Sequence, residues 1–205
     1  YRRMPGYETA ACFGDKCPPA FSELENIHRM AAAAGHELLW VWTVRHPFDT
    51  ALSWVERFGN DSIAELAFYR GMKFPPLTDR QRARPDAAAG YVFARCLECW
   101  KASVESLTRH SRCTIVYEQL VDNPVAVLGG LHASLGLTFD ERQMEEMFRA
   151  GSLGGDPKFN ATSSVHRHSR FRYKREDGRR LALLSSIARE LGLEALMAPF
   201  GYELT

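Results

Sequence analysis

The stretch Leu38-Leu39-Trp40-Val41-Trp42-Thr43-Val44 constrains this chain more than any other. It is almost wholly apolar and does not alternate with polar residues. A strand with one solvated face alternates, whereas a strand covered on both faces does not. The run therefore predicts an inner strand of a parallel sheet. A second run, Cys113-Thr114-Ile115-Val116-Tyr117, predicts another buried strand. Helical patterns surround both, at 22–34, 48–58, 91–109, from Pro124 to Gly136, and at 178–191. Ser22 and Glu25 have capping-box spacing, and Gly35 stands where the first helix must stop. Thr138 and Glu141 open a further helix in the same way. Residues 1–20, 71–90 and 151–162 are read as irregular. Helices alternating with buried strands predict an α/β fold with a central parallel sheet flanked by helices.

The length, 205 residues, suits one domain over 1–205. A net charge of +1 argues against a general nucleic-acid binder and against a membrane-surface protein. No apolar run approaches the roughly 20 residues that span a bilayer. The five cysteines, Cys12, Cys17, Cys96, Cys99 and Cys113, do not form a disulfide framework in a chain this long. Cys96 and Cys99 have metal-like spacing, but they fall in a helical pattern beside Trp100, which predicts buried thiols and no metal. Reduced thiols fit a cytoplasmic protein.

The chemistry gathers at Val44-Arg45-His46-Pro47-Phe48-Asp49-Thr50-Ala51-Leu52-Ser53. A strand ends at Arg45 and a helix starts almost at once, with Pro47 in the first turn, where proline is tolerated. Ligands of parallel sheets bind at the carboxyl ends of the strands, so Arg45 stands where a ligand belongs. On the helix, Phe48, Ala51, Leu52, Val55 and Phe58 form the core stripe. Thr50, Ser53 and Arg57 share the other side. A strand-end guanidinium facing a hydroxyl and a second guanidinium makes an anion site. The plainer alternative is a solvated helix face with Arg45 in a salt bridge.

Arg45 to Ser53 resembles the 3′-phosphate-binding segment of sulfotransferases that use 3′-phosphoadenosine-5′-phosphosulfate (PAPS), with His46 in place of the commoner Asp or Asn. By that resemblance Arg45 and Ser53 bind the 3′-phosphate, and Arg57 matches a further basic position of the tyrosylprotein sulfotransferase branch. Phe13-Gly14-Asp15-Lys16-Cys17-Pro18 is similar to a Lys-x-Pro segment of that branch, and Lys16 would steady the transferring sulfo group. Tyr117-Glu118-Gln119-Leu120 resembles the family's Tyr-Glu-Asp-Leu segment, whose Tyr lies near the nucleotide. Phe200-Gly201-Tyr202 resembles its closing Leu-Gly-Tyr. The resemblance implies a three-layer, P-loop-NTPase-like fold, PAPS as donor and 3′,5′-ADP as product, with no metal.

Family members open with a strand and a Gly- and Ser/Thr-rich loop that holds the 5′-phosphosulfate. No such loop is present here, and Gly151 to Gly155 lacks the strand and the Lys-Ser/Thr pair it would need. The chain starts at Tyr1, and the strand and loop are expected upstream of it. The general base is not identified; Glu8 and His36 are candidates by nearness in sequence alone. The basic run His166 to Arg175 is a solvated loop on the bland reading and a nucleic-acid contact on another, because aromatics interleave with its cations. In the family this region covers the donor, which singles out Arg167 and Arg172. Expected partners are a small-molecule, glycan or peptide hydroxyl acceptor, and neither nucleic acid nor membrane; Phe68, Tyr69 and Phe74 either line a hydrophobic acceptor site or simply pack their loop. The alternative is an inactive sulfotransferase-like module that holds nucleotide or a partner without transfer.

Overall fold

The apolar run shortens into a four-residue strand. β1 (Val41–Val44) pairs in parallel with β2 (Cys113–Val116), in a register running from Val41 opposite Cys113 to Val44 opposite Val116. The computed structural model describes residues 24–58, 85–111, 113–142 and 170–204, with the side chains of Arg57, Phe58 and residues 85–87 outside that description. Leu38 and Leu39 lie before the strand and are only half-buried. The ladder starts where the Cys113 amide reaches the Trp40 carbonyl at 3.4 Å. It stops where β2 turns directly into α4 (Tyr117–Asp122). Tyr117, expected as a strand residue, is thus the first residue of a helix.

Burial in the two strands is uneven, and each face of the pair is covered only in part. Trp42 and Val44 are buried and Thr43 is exposed; in β2, Ile115 is buried and Thr114 exposed. Trp42, Val44 and Val116 point into the main core. On the other face Ile115 is covered but Thr43 is not. The Trp42 indole donates to the Thr114 hydroxyl across the ladder at 2.8 Å. Along β1 the exposure follows the two-residue pleat, whereas the buried residue of β2, Ile115, lies on the opposite face from Trp42 and Val44.

The helices supply most of the core. α1 (Leu24–Ala33) ends at Gly35, whose φ of +70° is a left-handed value that glycine reaches without strain. Ser22, the expected cap of this helix, lies outside the described residues. α2 (Pro47–Phe58) buries Phe48, Ala51 and Leu52 and half-buries Val55, as its stripe predicts. α3 (Pro85–His110) is 26 residues long and begins earlier than the periodicity indicated. Residues 85–90, read as loop, are helical, because Pro85-Asp86-Ala87-Ala88-Ala89 combines a first-turn proline, a first-turn acid and strong helix formers. Its inner stripe of Val92, Phe93, Cys96, Leu97, Trp100 and Val104 packs between α2 and α6 (Gly178–Glu190). Cys96 and Cys99 are buried free thiols.

α5 (Pro124–Ser134) is capped by the Asn123 side chain, which accepts the Ala126 amide at 3.2 Å. The next helix is entered at Asp140 and not at Thr138: the Asp140 carboxylate accepts the Arg142 amide at 2.9 Å. Both residues are good caps, and the one whose oxygen meets the free amide decides the start. α6 is capped by Asp177, and α7 (Glu194–Met197) brings Leu193 and Met197 into the core. The described residues are therefore mostly helical with a two-stranded parallel sheet, an α/β arrangement. Among the described residues, no helix is long and apolar enough to cross a membrane.

Candidate functional site

Parallel pairing puts the carboxyl ends of β1 and β2 side by side, and the residues that leave those ends meet. The Arg45 guanidinium lies over the Tyr117 ring, 4.9 Å from its centroid. The Arg45 carbonyl accepts the Trp100 indole N–H at 2.9 Å, which fixes the backbone where β1 ends. The Arg45 side chain keeps 20% of its exposure, so the cation reaches solvent from a partly buried seat. A guanidinium above an aromatic ring, at the carboxyl end of a parallel pair, has the chemistry to receive an anion.

Beneath Arg45 lies a buried polar cluster. His46, Asp49 and Glu118 are 0%, 0% and 4% exposed. Glu118 accepts the His46 amide at 3.1 Å and the Tyr202 hydroxyl, so the C-terminal segment is tied to the start of α2. Asp49 Oδ1 accepts the Tyr173 amide at 2.9 Å, and Oδ2 accepts the Arg172 amide at 3.3 Å. Asp49 Oδ2 also lies 3.7 Å from Arg45 Nη2. The His46 ring stacks on Tyr173, with centroids 4.1 Å apart, and meets Phe48 and Tyr202 edge-on. Its Nδ1 accepts the Phe48 amide at 3.3 Å, which leaves Nε2 to carry the proton of a neutral ring.

Enclosure governs the protonation states. Burial lowers the His46 pKa to about 4; the Glu203 backbone acts the other way, and Lys174 and Arg45 lower it further by charge. Burial raises the Asp49 carboxyl above its usual range, opposed by the Tyr173 amide, Arg45 and the Arg172 amide, while Glu118 adds to the rise. Burial and Glu118 push the Tyr202 phenol well above ordinary tyrosine. At neutral pH the cluster holds a neutral imidazole and a neutral phenol.

The sequence-predicted site residues are distributed as follows. Arg45 and Tyr117 are in contact. Ser53 is half-buried on α2, one turn beyond Asp49 on the same side of the helix. The Thr50 hydroxyl donates to the His46 carbonyl at 3.1 Å. Arg172 opens a short 3₁₀ turn (Arg172–Arg175), and its guanidinium pairs with Glu56 of α2 and, at 3.9 Å, with Glu176. Arg57 lies on α2, its side chain outside the description. Lys16 and Arg167 lie outside the described residues altogether, as do Glu8, Phe68, Tyr69 and Phe74. His36 is exposed in the turn after α1.

Sequence reasoning assigned no role to His46, Asp49, Glu118, Tyr173 or Tyr202, which make up the interior of the cluster. A signal was present for two of them. Asp49 interrupts a first turn whose neighbours Phe48, Ala51 and Leu52 are all core residues, and Glu118 follows directly on a buried strand. A charge at such a place needs internal partners. Among the described residues, no group of three or more His, Cys, Asp or Glu side chains is placed to hold a metal ion. Comparison with family models, with curated proteins and with solved structures finds nothing that matches this chain.

Proposed function

We propose that this chain carries the donor site of a PAPS-dependent sulfotransferase, which transfers a sulfo group to a hydroxyl or amine acceptor and releases 3′,5′-ADP. The observation that carries the reading is Arg45: a partly exposed guanidinium at the carboxyl end of β1, seated on Tyr117 at the carboxyl end of its parallel neighbour. The 3′-phosphate would sit against Arg45 and Ser53, with Arg57, Arg167 and Arg172 as further cations and Tyr117 beside the nucleotide. Lys16 would serve the sulfo group, and a P-loop-NTPase-like three-layer domain would place a further layer over the Thr43 face of the sheet. Sulfuryl transfer, like phosphoryl transfer, then relies on positioned cations and in-line geometry.

The test is thermal unfolding with 3′,5′-ADP. At 100 times its dissociation constant, a ligand that binds only the folded state adds about 2.7 kcal/mol. The wild-type midpoint should rise and that of Arg45→Ala should not. An equal rise in both would remove Arg45 from the site.

A second reading is a module that binds the nucleotide without transfer. It is favoured by the state of the bases around Arg45: the oxygens of Asp49 and Glu118 and the Nδ1 of His46 are already engaged in internal hydrogen bonds. Binding of 3′,5′-ADP without consumption of PAPS across a broad acceptor panel would select it.

A further inference from the structure

Asp49 is a carboxylate in the first turn of α2, and it is wholly enclosed. The apolar stripe of the helix does not account for it. Both of its oxygens are used by the backbone of a distant segment, at 2.9 Å to the Tyr173 amide and 3.3 Å to the Arg172 amide. Those amides are the first two of the 3₁₀ turn Arg172–Arg175. The residue entering that turn, Phe171, has a φ of 48° and no side-chain cap of its own. A carboxylate supplied by another helix therefore does what an N-cap side chain does at a helix start. The turn it holds carries Arg172, Lys174 and Arg175. The same carboxylate lies 3.7 Å from Arg45.

We infer that Asp49 is a positioning residue, whose carboxylate docks the basic turn 172–175 beside Arg45 so that Arg172 and Lys174 extend the anion site that Arg45 begins. This rests on the reading of Arg45 as a phosphate ligand. The arrangement is economical in geometry: one side chain orients the guanidinium through charge and the turn through two hydrogen bonds. Glu56, about two turns along the same helix, holds the Arg172 side chain, so the turn is tied to α2 by backbone and side chain alike. Without Asp49, two amides at a crowded junction lose their acceptor, and the cations of the turn lose their fixed distance from Arg45.

The experiment measures 3′,5′-ADP affinity and backbone amide exchange on the full chain. Its variants are Arg45→Ala, Arg172→Ala, Lys174→Ala, Asp49→Asn and the double variant Asp49→Asn with Arg172→Ala. Arg45→Ala should abolish binding. Arg172→Ala and Lys174→Ala should each weaken it by roughly three- to tenfold, the range for partly exposed charged contacts. Asp49→Asn should weaken it to a similar degree, with faster exchange of the Arg172 and Tyr173 amides. The double variant should be little worse than the worse single one, because both changes remove the same contact. A purely structural role for Asp49 would lower stability and leave its effect multiplying with that of Arg172→Ala, which would overturn the inference. Unchanged exchange at Arg172 and Tyr173 would overturn it as well. Should Asp49→Asn fail to fold, Arg172 and Lys174 decide: if neither substitution changes an affinity that Arg45→Ala abolishes, the basic turn is no part of the site. If Arg45→Ala binds as wild type does, it is the donor reading that fails, and the exchange data still report on the docking.

Discussion

The imidazole of His46 lies flat against the phenol ring of Tyr173, with centroids 4.1 Å apart and ring planes inclined by 16°. The contact joins the start of α2 to the basic turn, at a point where His46 has no exposed surface. A cation there would lose its water and face the charges of Lys174 and Arg45, which is why the ring stays neutral.

That neutrality makes stability depend on pH. The His46 pKa is about 4 in the folded chain against 6.5 when free. Between those values the unfolded chain holds the extra proton, so acid favours unfolding. The contribution of His46 is complete above pH 6.5 and is lost as pH falls toward 4, about 3 kcal/mol in all at about 1.4 kcal/mol per unit. Asp49 opposes this: its folded pKa is raised, so its contribution is lost as pH rises through that raised value. The His46 effect is therefore clearest in the upper part of the window. Urea midpoints at pH 7 and 5.5 should fall with acid in wild type. In His46→Phe, which keeps an aromatic ring on Tyr173, they should fall much less. Equal slopes would show that His46 is charged in the native state.

Glu118 joins His46 to Tyr202, 84 positions apart from it, and is itself 4% exposed. Tyr202→Phe removes one of the donors to a buried carboxylate while keeping the ring. Hydrogen bonds to charged groups contribute about 1.5–3 kcal/mol, so equilibrium unfolding should show a loss of about 2 kcal/mol. A loss below about 0.5 kcal/mol would mean that the hydroxyl finds water equally well.

Leu97 stands at the middle of α3 with no exposure, between α2 and α6. Leu97→Ala should cost about 3 kcal/mol through lost burial and a residual cavity. Denaturant unfolding measures this directly, and an unchanged m-value would show that the same surface is still exposed on unfolding.

Trp100 presents its indole N–H to the carbonyl of Arg45 at 2.9 Å. Trp100→Phe keeps most of the packing and leaves that carbonyl without its donor. Stability should fall by about 1–2 kcal/mol. If Arg45 is a phosphate ligand, 3′,5′-ADP should also protect the variant less than wild type in thermal unfolding. A full protection by 3′,5′-ADP would separate the position of the β1 end from ligand binding.

Much of the framework was legible in the residues. The stripe Phe48-Ala51-Leu52, the first-turn Pro47 and the terminating Gly35 all act within one or two turns of helix, and local periodicity records them. That the sheet is parallel followed from two apolar runs separated by helices; that β1 and β2 are neighbours did not. Nor did the strand length: Leu38 and Leu39 are as apolar as Val41, but β2 begins only at Cys113, opposite Val41 and just after α3 ends at His110, and it turns into α4 opposite Val44. Thr43 and Thr114 are exposed because of where helices pack, which no run of residues within the strand records. The site was half legible. Arg45 could be placed at the carboxyl end of a strand from the sequence. That its neighbour is Tyr117 depended on the pairing.

What the sequence determined by itself was the set of local choices: helix starts and stops, the apolar stripes, and a cation at the exit of an inner strand. What only the tertiary structure decided was the company those groups keep. Asp49 meets the amide of Tyr173 across 124 positions, and Glu118 meets the His46 amide across 72. A hydrogen bond between residues so far apart leaves no period and no spacing in the chain. It exists because chain folding encloses both groups in one water-free place, where an unpartnered charge or amide would cost several times what the bond contributes in solvent.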